Sequence, residues 1–215
     1  MAIFPNETGL GALILAGGRG SRLPDKCLKI LGNKELILHV FEKISNVTRE
    51  IVVAVKSSEQ ASRLGVLFPS AQIVLDEVSD QTPLAGFLSG LHAIGSQYVF
   101  VAPCDTPFIE PGVIQLLFQR ALGNDGAVVM IDSGMLEPLC AVYRREPALR
   151  AAQEAIQSRR TSMLDVLAQI AKIVRVRSEE LRKVDPQLLT FRNINTNEDL
   201  AWAERMIRTH DATRS

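Results

Sequence analysis

Arg19, Arg22 and Lys26 follow the glycine pair Gly17-Gly18 in one short stretch, Leu13-Ile-Leu-Ala-Gly-Gly-Arg-Gly-Ser-Arg-Leu-Pro-Asp-Lys26. Glycine has no Cβ and adopts positive φ freely, so backbone N–H groups at such positions approach an anion closely. With cationic side chains beside those amides, the stretch is suited to hold the phosphates of a nucleoside triphosphate. Two other phosphate loops fail on spacing. A Walker A loop requires Gly-Lys-Ser/Thr after four intervening residues, which is absent. A dinucleotide G-x-G-x-x-G frame beginning at Gly18 and Gly20 puts Leu23 where the helix-packing glycine belongs.

Two aspartates extend this chemistry. Asp105 sits in the tight turn Pro103-Cys-Asp-Thr-Pro107. Mg²⁺ takes one or two carboxylates together with substrate phosphates, so Asp105 is the candidate metal ligand, a plain turn or N-cap aspartate being the alternative. Asp76 closes an apolar run and is either an ordinary loop residue or a reader of a base. Guanine presents N1–H and N2–H₂ together to one carboxylate, an edge that adenine and cytosine lack. His39 and His92 fall in expected helices and His210 near the end, where packing or surface roles are expected. Trp202 is expected in the core or an interface.

The elements that must position these residues are legible from the apolar pattern. At 215 residues, with 47% hydrophobic and 22% charged residues, the chain suits one domain with a sizeable core. A formal net charge of zero argues against a broad nucleic-acid footprint. The three cysteines, Cys27, Cys104 and Cys140, lie far apart, as in a reducing compartment. The first residues lack a signal-peptide pattern, and no run approaches the ~18 apolar residues of a membrane span, so a cytoplasmic protein with no membrane partner is expected.

Residues 1–10 read as a lead-in. Apolar runs at 11–16, 51–55, 71–75, 98–102 and 127–131 read as strands. They alternate with helical spacing over 35–47, 57–67, 84–94 and 111–122, which predicts a mostly parallel α/β sheet flanked by helices. Residues 138–143 read as an added, antiparallel strand, 146–170 as helices, 173–176 as a strand, and the chain from 196 onward as a last helix. In such sheets ligands bind outside the carboxyl ends of the strands, where Gly17, Asp76 and Asp105 all fall.

Leu-Ala-Gly-Gly at 15–18, Asp25-Lys26, Pro83-Leu-Ala-Gly86, Pro103-Cys-Asp-Thr-Pro107 and Asn193-Ile-Asn-Thr196 together resemble the molybdenum cofactor guanylyltransferases, the MobA-like nucleotidyltransferases. The resemblance runs over nearly the whole chain. It implies a single Rossmann-like domain of the nucleotide-diphospho-sugar-transferase type over about 11–210, with a nucleotide part to about 132 and an acceptor part beyond. It further implies transfer of GMP from GTP to molybdopterin or Mo-molybdopterin, with Mg²⁺ and release of pyrophosphate, and functional partners within cofactor biosynthesis. By match, Leu15, Ala16, Gly17, Gly18 and Lys26 contact GTP, Asp76 the guanosine, and Asp105 the metal and nucleotide. Asn193 and Asn195 lie toward the pterin, as does the basic pair Arg159-Arg160. Lys26, Arg22 and Asp105 are the expected catalytic residues.

The chain departs from the family pattern at Leu23-Pro24, where Met-Gly is usual in a longer loop, and at Thr82, usually glycine. The asparagine expected after the second strand is not evident at 53–57. Cytidylyl transfer to molybdopterin, guanylyl transfer to cobinamide phosphate, sugar-phosphate activation and a non-catalytic nucleotide-binding protein therefore stay open as alternatives.

Overall fold

Side chains of successive strand residues point to opposite faces, and Leu10–Leu15 (β1) is buried at every position, so it needs cover on both sides. A computed structural model, describing residues 9–17, 23, 25–76 and 82–212, supplies that cover in three layers. The strands are β1, Ile30–Leu31 (β2), Lys34–Glu35 (β3), Glu50–Val55 (β4), Gln72–Leu75 (β5), Tyr98–Pro103 (β6), Gly126–Met130 (β7), Leu136–Arg144 (β8) and Ile173–Arg177 (β9). The helices are Leu36–Ser45 (α1), Ser58–Leu67 (α2), Pro83–Ala93 (α3), Pro111–Ala121 (α4), Arg145–Gln157 (α5), Met163–Ala168 (α6), Ser178–Leu181 (α7) and Asn197–Ala212 (α8). Among the described residues no helix is long and apolar enough to cross a membrane.

Seven of the described strands form one sheet in the order β5-β4-β1-β6-β8-β7-β9. The β5, β4, β1 and β6 strands run parallel, as the alternation of apolar runs and helical stretches predicts. β8 is antiparallel to both β6 and β7 and lies between them. The half of the chain expected to hold the acceptor therefore shares one sheet with the half expected to hold the nucleotide.

Alternate strand residues build two cores. Ala12, Ile14, Val53 and Phe100 pack with α1, α2 and α4 on one face, while Leu13, Leu15, Val101 and Tyr143 pack with α3, α5 and α6 on the other. A third cluster joins Leu23, Leu31, Leu36 and Ile194 to Ala203 of α8. Leu23, one of the departures from the family pattern, is thus a buried plug (3% exposed) fastening the far end of the Gly-rich segment to the last helix.

Two segments show detail that the apolar pattern does not give. The short apolar piece at 28–31 is a 3-10 turn, Lys26–Leu28, followed by the β2–β3 hairpin, whose Gly32 adopts φ 67°. The helical stretch at 146–170 is broken between α5 and α6, where Arg159 sits at φ 56° and Ser162 caps α6 by accepting from the Leu164 N–H at 3.1 Å.

Gly90 of α3 lies directly against β1. A Cβ at this position would come within 2.2 Å of Leu13 Cδ1 and 2.9 Å of its Cγ, and Leu13 is itself fully buried. Alanine favours helix over glycine, but here overpacking outweighs propensity. Gly90→Ala is expected to lower stability by about 1–3 kcal/mol in urea unfolding.

Candidate active site

The carboxyl ends of β1, β5 and β6 open into a cleft of about 240 Å³, lined among others by Leu15, Gly17, Lys26, Asp76, Asp105, Asn193 and Asn195. Residues far apart in sequence meet here because parallel strands bring their following loops to one rim.

Lys26 is delivered by a backbone reversal. Asp25 takes a left-handed conformation (φ 49°, ψ 36°), and the 3-10 turn that follows starts at Lys26. The Lys26 ammonium forms an ion pair with Asp105 Oδ2 and donates to Asn195 Oδ1 at 3.2 Å. Asp105 is almost wholly buried, and its second oxygen, Oδ1, has no hydrogen-bond partner among the described residues. The Asn193–Asn195 segment is held beside it by the main chain, the Ile194 N–H donating to the Asp105 carbonyl at 2.8 Å. Its exit into α8 is fixed by reciprocal capping. Asp199 Oδ2 accepts from the N–H groups of Asn195 at 3.1 Å and Thr196 at 3.0 Å, while Thr196 Oγ1 accepts from the Asp199 N–H at 3.1 Å.

Asp76 is seated by two glycines. A Cβ on Gly17 would stand 2.5 Å from Asp76 Oδ2, and one on Gly86 of α3 would stand 3.1 Å from Asp76 Oδ1. The glycines of Leu-Ala-Gly-Gly and Pro-Leu-Ala-Gly therefore leave the space this carboxylate occupies. Oδ1 is buried without a partner among the described residues, and desolvation raises the Asp76 carboxyl to about 6. An unpaired carboxylate in such a place favours a ligand that brings its own N–H donors.

Gln60 carries a role that no sequence pattern announces. Its Nε2 donates to the Ala16 carbonyl at 3.0 Å and to Cys27 Sγ at 3.1 Å, and its Oε1 accepts from the Lys56 N–H at 3.1 Å. One buried amide thus ties together the two ends of the segment from Ala16 to Cys27, which contains the Gly-rich run. Cys27 also accepts a hydrogen bond from the Cys104 thiol, which holds it down to about 7. The same bond and burial push Cys104 up. Both thiols are buried and brace Lys26 and Asp105, their neighbours in sequence.

Of the residues singled out by sequence, the cleft gathers Leu15, Gly17, Lys26, Asp76, Asp105, Asn193 and Asn195. Ala16 lies just behind, its N–H donating to the Ala54 carbonyl at 2.8 Å. Gly18 and Arg22 lie outside the described residues. Arg159 and Arg160 are not brought to the cleft. They line a neighbouring groove with Leu84 and Ala85, touching the cleft's lining through Thr82, because α5 ends against the start of α3. His39 bonds the Leu31 carbonyl at 2.9 Å and serves packing. Trp202 packs edge-on against Phe108, with the Arg192 guanidinium 4.3 Å from its ring centre. Among the described residues no group of three or more His, Cys, Asp or Glu is placed to hold a metal ion by itself.

The chain is similar to several known proteins. A family model described as the MobA-like NTP transferase domain matches residues 12–173. The probable molybdenum cofactor guanylyltransferase of Methanosarcina mazei is 35% identical, over 88% of this chain and 87% of that protein. The molybdenum cofactor guanylyltransferase of Desulfosudis oleivorans is 30% identical, over 91% and 95%. The crystal structure of molybdopterin-guanine dinucleotide biosynthesis protein A from Archaeoglobus fulgidus superposes with a TM-score of 0.80 at 30% identity, covering 93% of this chain and 99% of that one.

Gln60→Ala removes the tie between Ala16 and Cys27 and strands a buried carbonyl. The variant is expected to lose about 1–3 kcal/mol of stability in denaturant unfolding. Nucleotide binding should weaken further than that loss explains when measured under conditions where the variant is fully folded.

Proposed function

The chain belongs to the MobA-like NTP transferase family, and from that membership we propose that it is a molybdenum cofactor guanylyltransferase. It transfers GMP from GTP to molybdopterin or its molybdenum-loaded form and releases pyrophosphate. The observation that carries this reading is the pair of buried carboxylate oxygens, Asp76 Oδ1 and Asp105 Oδ1, without partners among the described residues and in one cleft with Lys26. One calls for a donor-rich base and the other for a cation.

In this reading Asp76 accepts from guanine N1–H and N2–H₂. The Gly17 and Gly18 amides, Lys26 and Arg22 hold the triphosphate, Leu15 and Ala16 form the floor, and Asn193 and Asn195 face the acceptor. Asp105, with one oxygen on Lys26 and the other without a partner among the described residues, fits Mg²⁺, which takes few protein carboxylates when phosphates supply the remaining ligands. Bound there, the ion would neutralise charge on the phosphates and favour departure of pyrophosphate.

The acceptor's phosphate has a second pKa of about 6 and is largely dianionic near neutrality, so its oxygen attacks without a protein base. A new bond forms from that oxygen to the α-phosphorus as the bond to the bridging oxygen of pyrophosphate breaks. The protein's contribution is alignment of that oxygen and donors aimed at the leaving group, of which Lys26 is the best positioned.

Ionised Asp76 binds the base, so affinity should fall as pH drops through its raised value near 6. A group titrating at about 6 is ~97% ionised at pH 7.5 and ~24% at pH 5.5, which predicts about fourfold weaker GTP binding at the lower pH. Calorimetric titration of the wild type beside Asp76→Ala separates this step from protonation of the nucleotide itself. Identical pH dependence in the two proteins would remove Asp76 from base recognition.

A further inference from the structure

The cleft contains a third carboxylate to which the roles above give no part. Glu137 lines it from β8, half-buried. Among the described residues no cation or hydrogen-bond donor is set against its carboxyl group, and desolvation raises that group above the ordinary glutamate range.

Glu137 reaches the cleft through a local distortion of the sheet. Two residues along β7 (127 to 129) match five along β8 (142 to 137), so the intervening residues of β8 bulge out. The ladder to β6 ends at the pair Val101–Ala141. Pro138 in the bulge has no N–H to offer a ladder, and bulges re-aim side chains near functional sites. The distortion is braced from within. The Tyr143 hydroxyl donates to the Pro138 carbonyl at 2.7 Å, and Tyr143 is fully buried and edge-on to Phe87, with ring centres 5.2 Å apart.

Strand order sets the three carboxylates out across the rim. Asp76 follows β5, Asp105 follows β6, and Glu137 stands on β8, in a sheet running β5-β4-β1-β6-β8. Neighbouring strands are about 4.8 Å apart, so the strand leading to Asp76 is about 14 Å to one side of that leading to Asp105. Glu137 stands one strand further on, on the side of Asp105 away from Asp76; it is four residues from the last β6 pair (141 to 137), as Asp105 is on its own strand (101 to 105). A nucleotide anchored by its base at Asp76 and by its phosphates at Asp105 would point its acceptor toward β8.

The geometry points to Glu137 as the residue that reads the pterin ring of the acceptor, its carboxylate accepting from the 2-amino group and the adjacent ring N–H. This assignment rests on the guanylyltransferase reading. A pterin carries the same two-donor edge as guanine, so a cleft that joins the two rings needs two such readers, one beyond each end of the phosphates. Pro138, Leu139 and Phe191 supply apolar surface beside Glu137 for a flat ring.

Steady-state kinetics with GTP and purified molybdopterin test the assignment. Glu137→Gln turns one acceptor oxygen into a donor facing the ring's own donors. It is expected to raise the KM for molybdopterin at least tenfold, with the KM for GTP and kcat at saturating acceptor within about twofold of wild type. Unchanged acceptor KM, or a fall in kcat with both KM values moving together, would overturn it. Quenching of free pterin fluorescence gives a second test, independent of turnover. Quenching by the wild type that is lost in Glu137→Gln and Glu137→Ala, with calorimetric GTP binding retained, supports the assignment; no quenching by the wild type, or equal quenching by all three, contradicts it. Failure of the wild type to use molybdopterin while still binding pterin through Glu137 would overturn the guanylyltransferase reading and leave the pterin site standing.

Discussion

The ion pair between Lys26 and Asp105 closes the cleft's centre and ties the segment after β1 to the end of β6. An almost fully buried carboxylate is costly to desolvate unless a cation stands against it, so Asp105 holds Lys26 in place as much as Lys26 stabilises Asp105. Other contacts converge on this pair. Asn195 bonds Lys26 from a segment that is hydrogen-bonded to the Asp105 main chain, and reciprocal capping at the start of α8 locks that segment. From behind, Cys27 and Cys104 touch each other, and Gln60 binds Cys27 to the end of β1. Lys26 is therefore positioned by several elements rather than by its own flexible side chain.

The same cleft holds polar atoms that folding leaves unsatisfied among the described residues, Asp76 Oδ1 and Asp105 Oδ1. Such groups destabilise the empty protein and are rare in native cores, which makes them markers of what a ligand must bring. Asp76 and Asp105 call for different complements. Asp76 is desolvated between two glycines, with no cation against it among the described residues, and so favours neutral N–H donors; Asp105 already shares Lys26 and has an oxygen left for a cation. That difference, more than the number of acidic residues, separates base recognition from phosphate chemistry.

The parallel half of the sheet was legible because its strands are apolar runs alternating with helical spacing, and parallel topology places the ends of β1, β5 and β6, with Gly17, Asp76 and Asp105 after them, at one rim. Asp76 and Asp105 stood out by that placement, and Lys26, Asn193 and Asn195 by the short motifs around them. Gln60 was not, since its role depends on two acceptors distant in sequence and nothing local distinguishes it from any helix-surface glutamine. Glu137 was hidden by the bulge in β8, which no alternation pattern records. Arg159 and Arg160 attracted attention as a basic pair, but the end of α5 turns them toward the start of α3 and into a separate groove. Leu23, a departure from the family pattern, packs in one buried cluster with Ala203 of α8.

Guanylyl transfer at this cleft is tested most directly by pyrophosphate release from each of GTP, ATP, CTP and UTP, with purified molybdopterin and Mg²⁺, in the wild type beside Asp105→Ala. Turnover with GTP alone is expected in the wild type, and a loss of about 100-fold or more in the folded variant, the scale of removing one transition-state contact. Turnover of CTP in place of GTP, or an undiminished rate in Asp105→Ala, would contradict it.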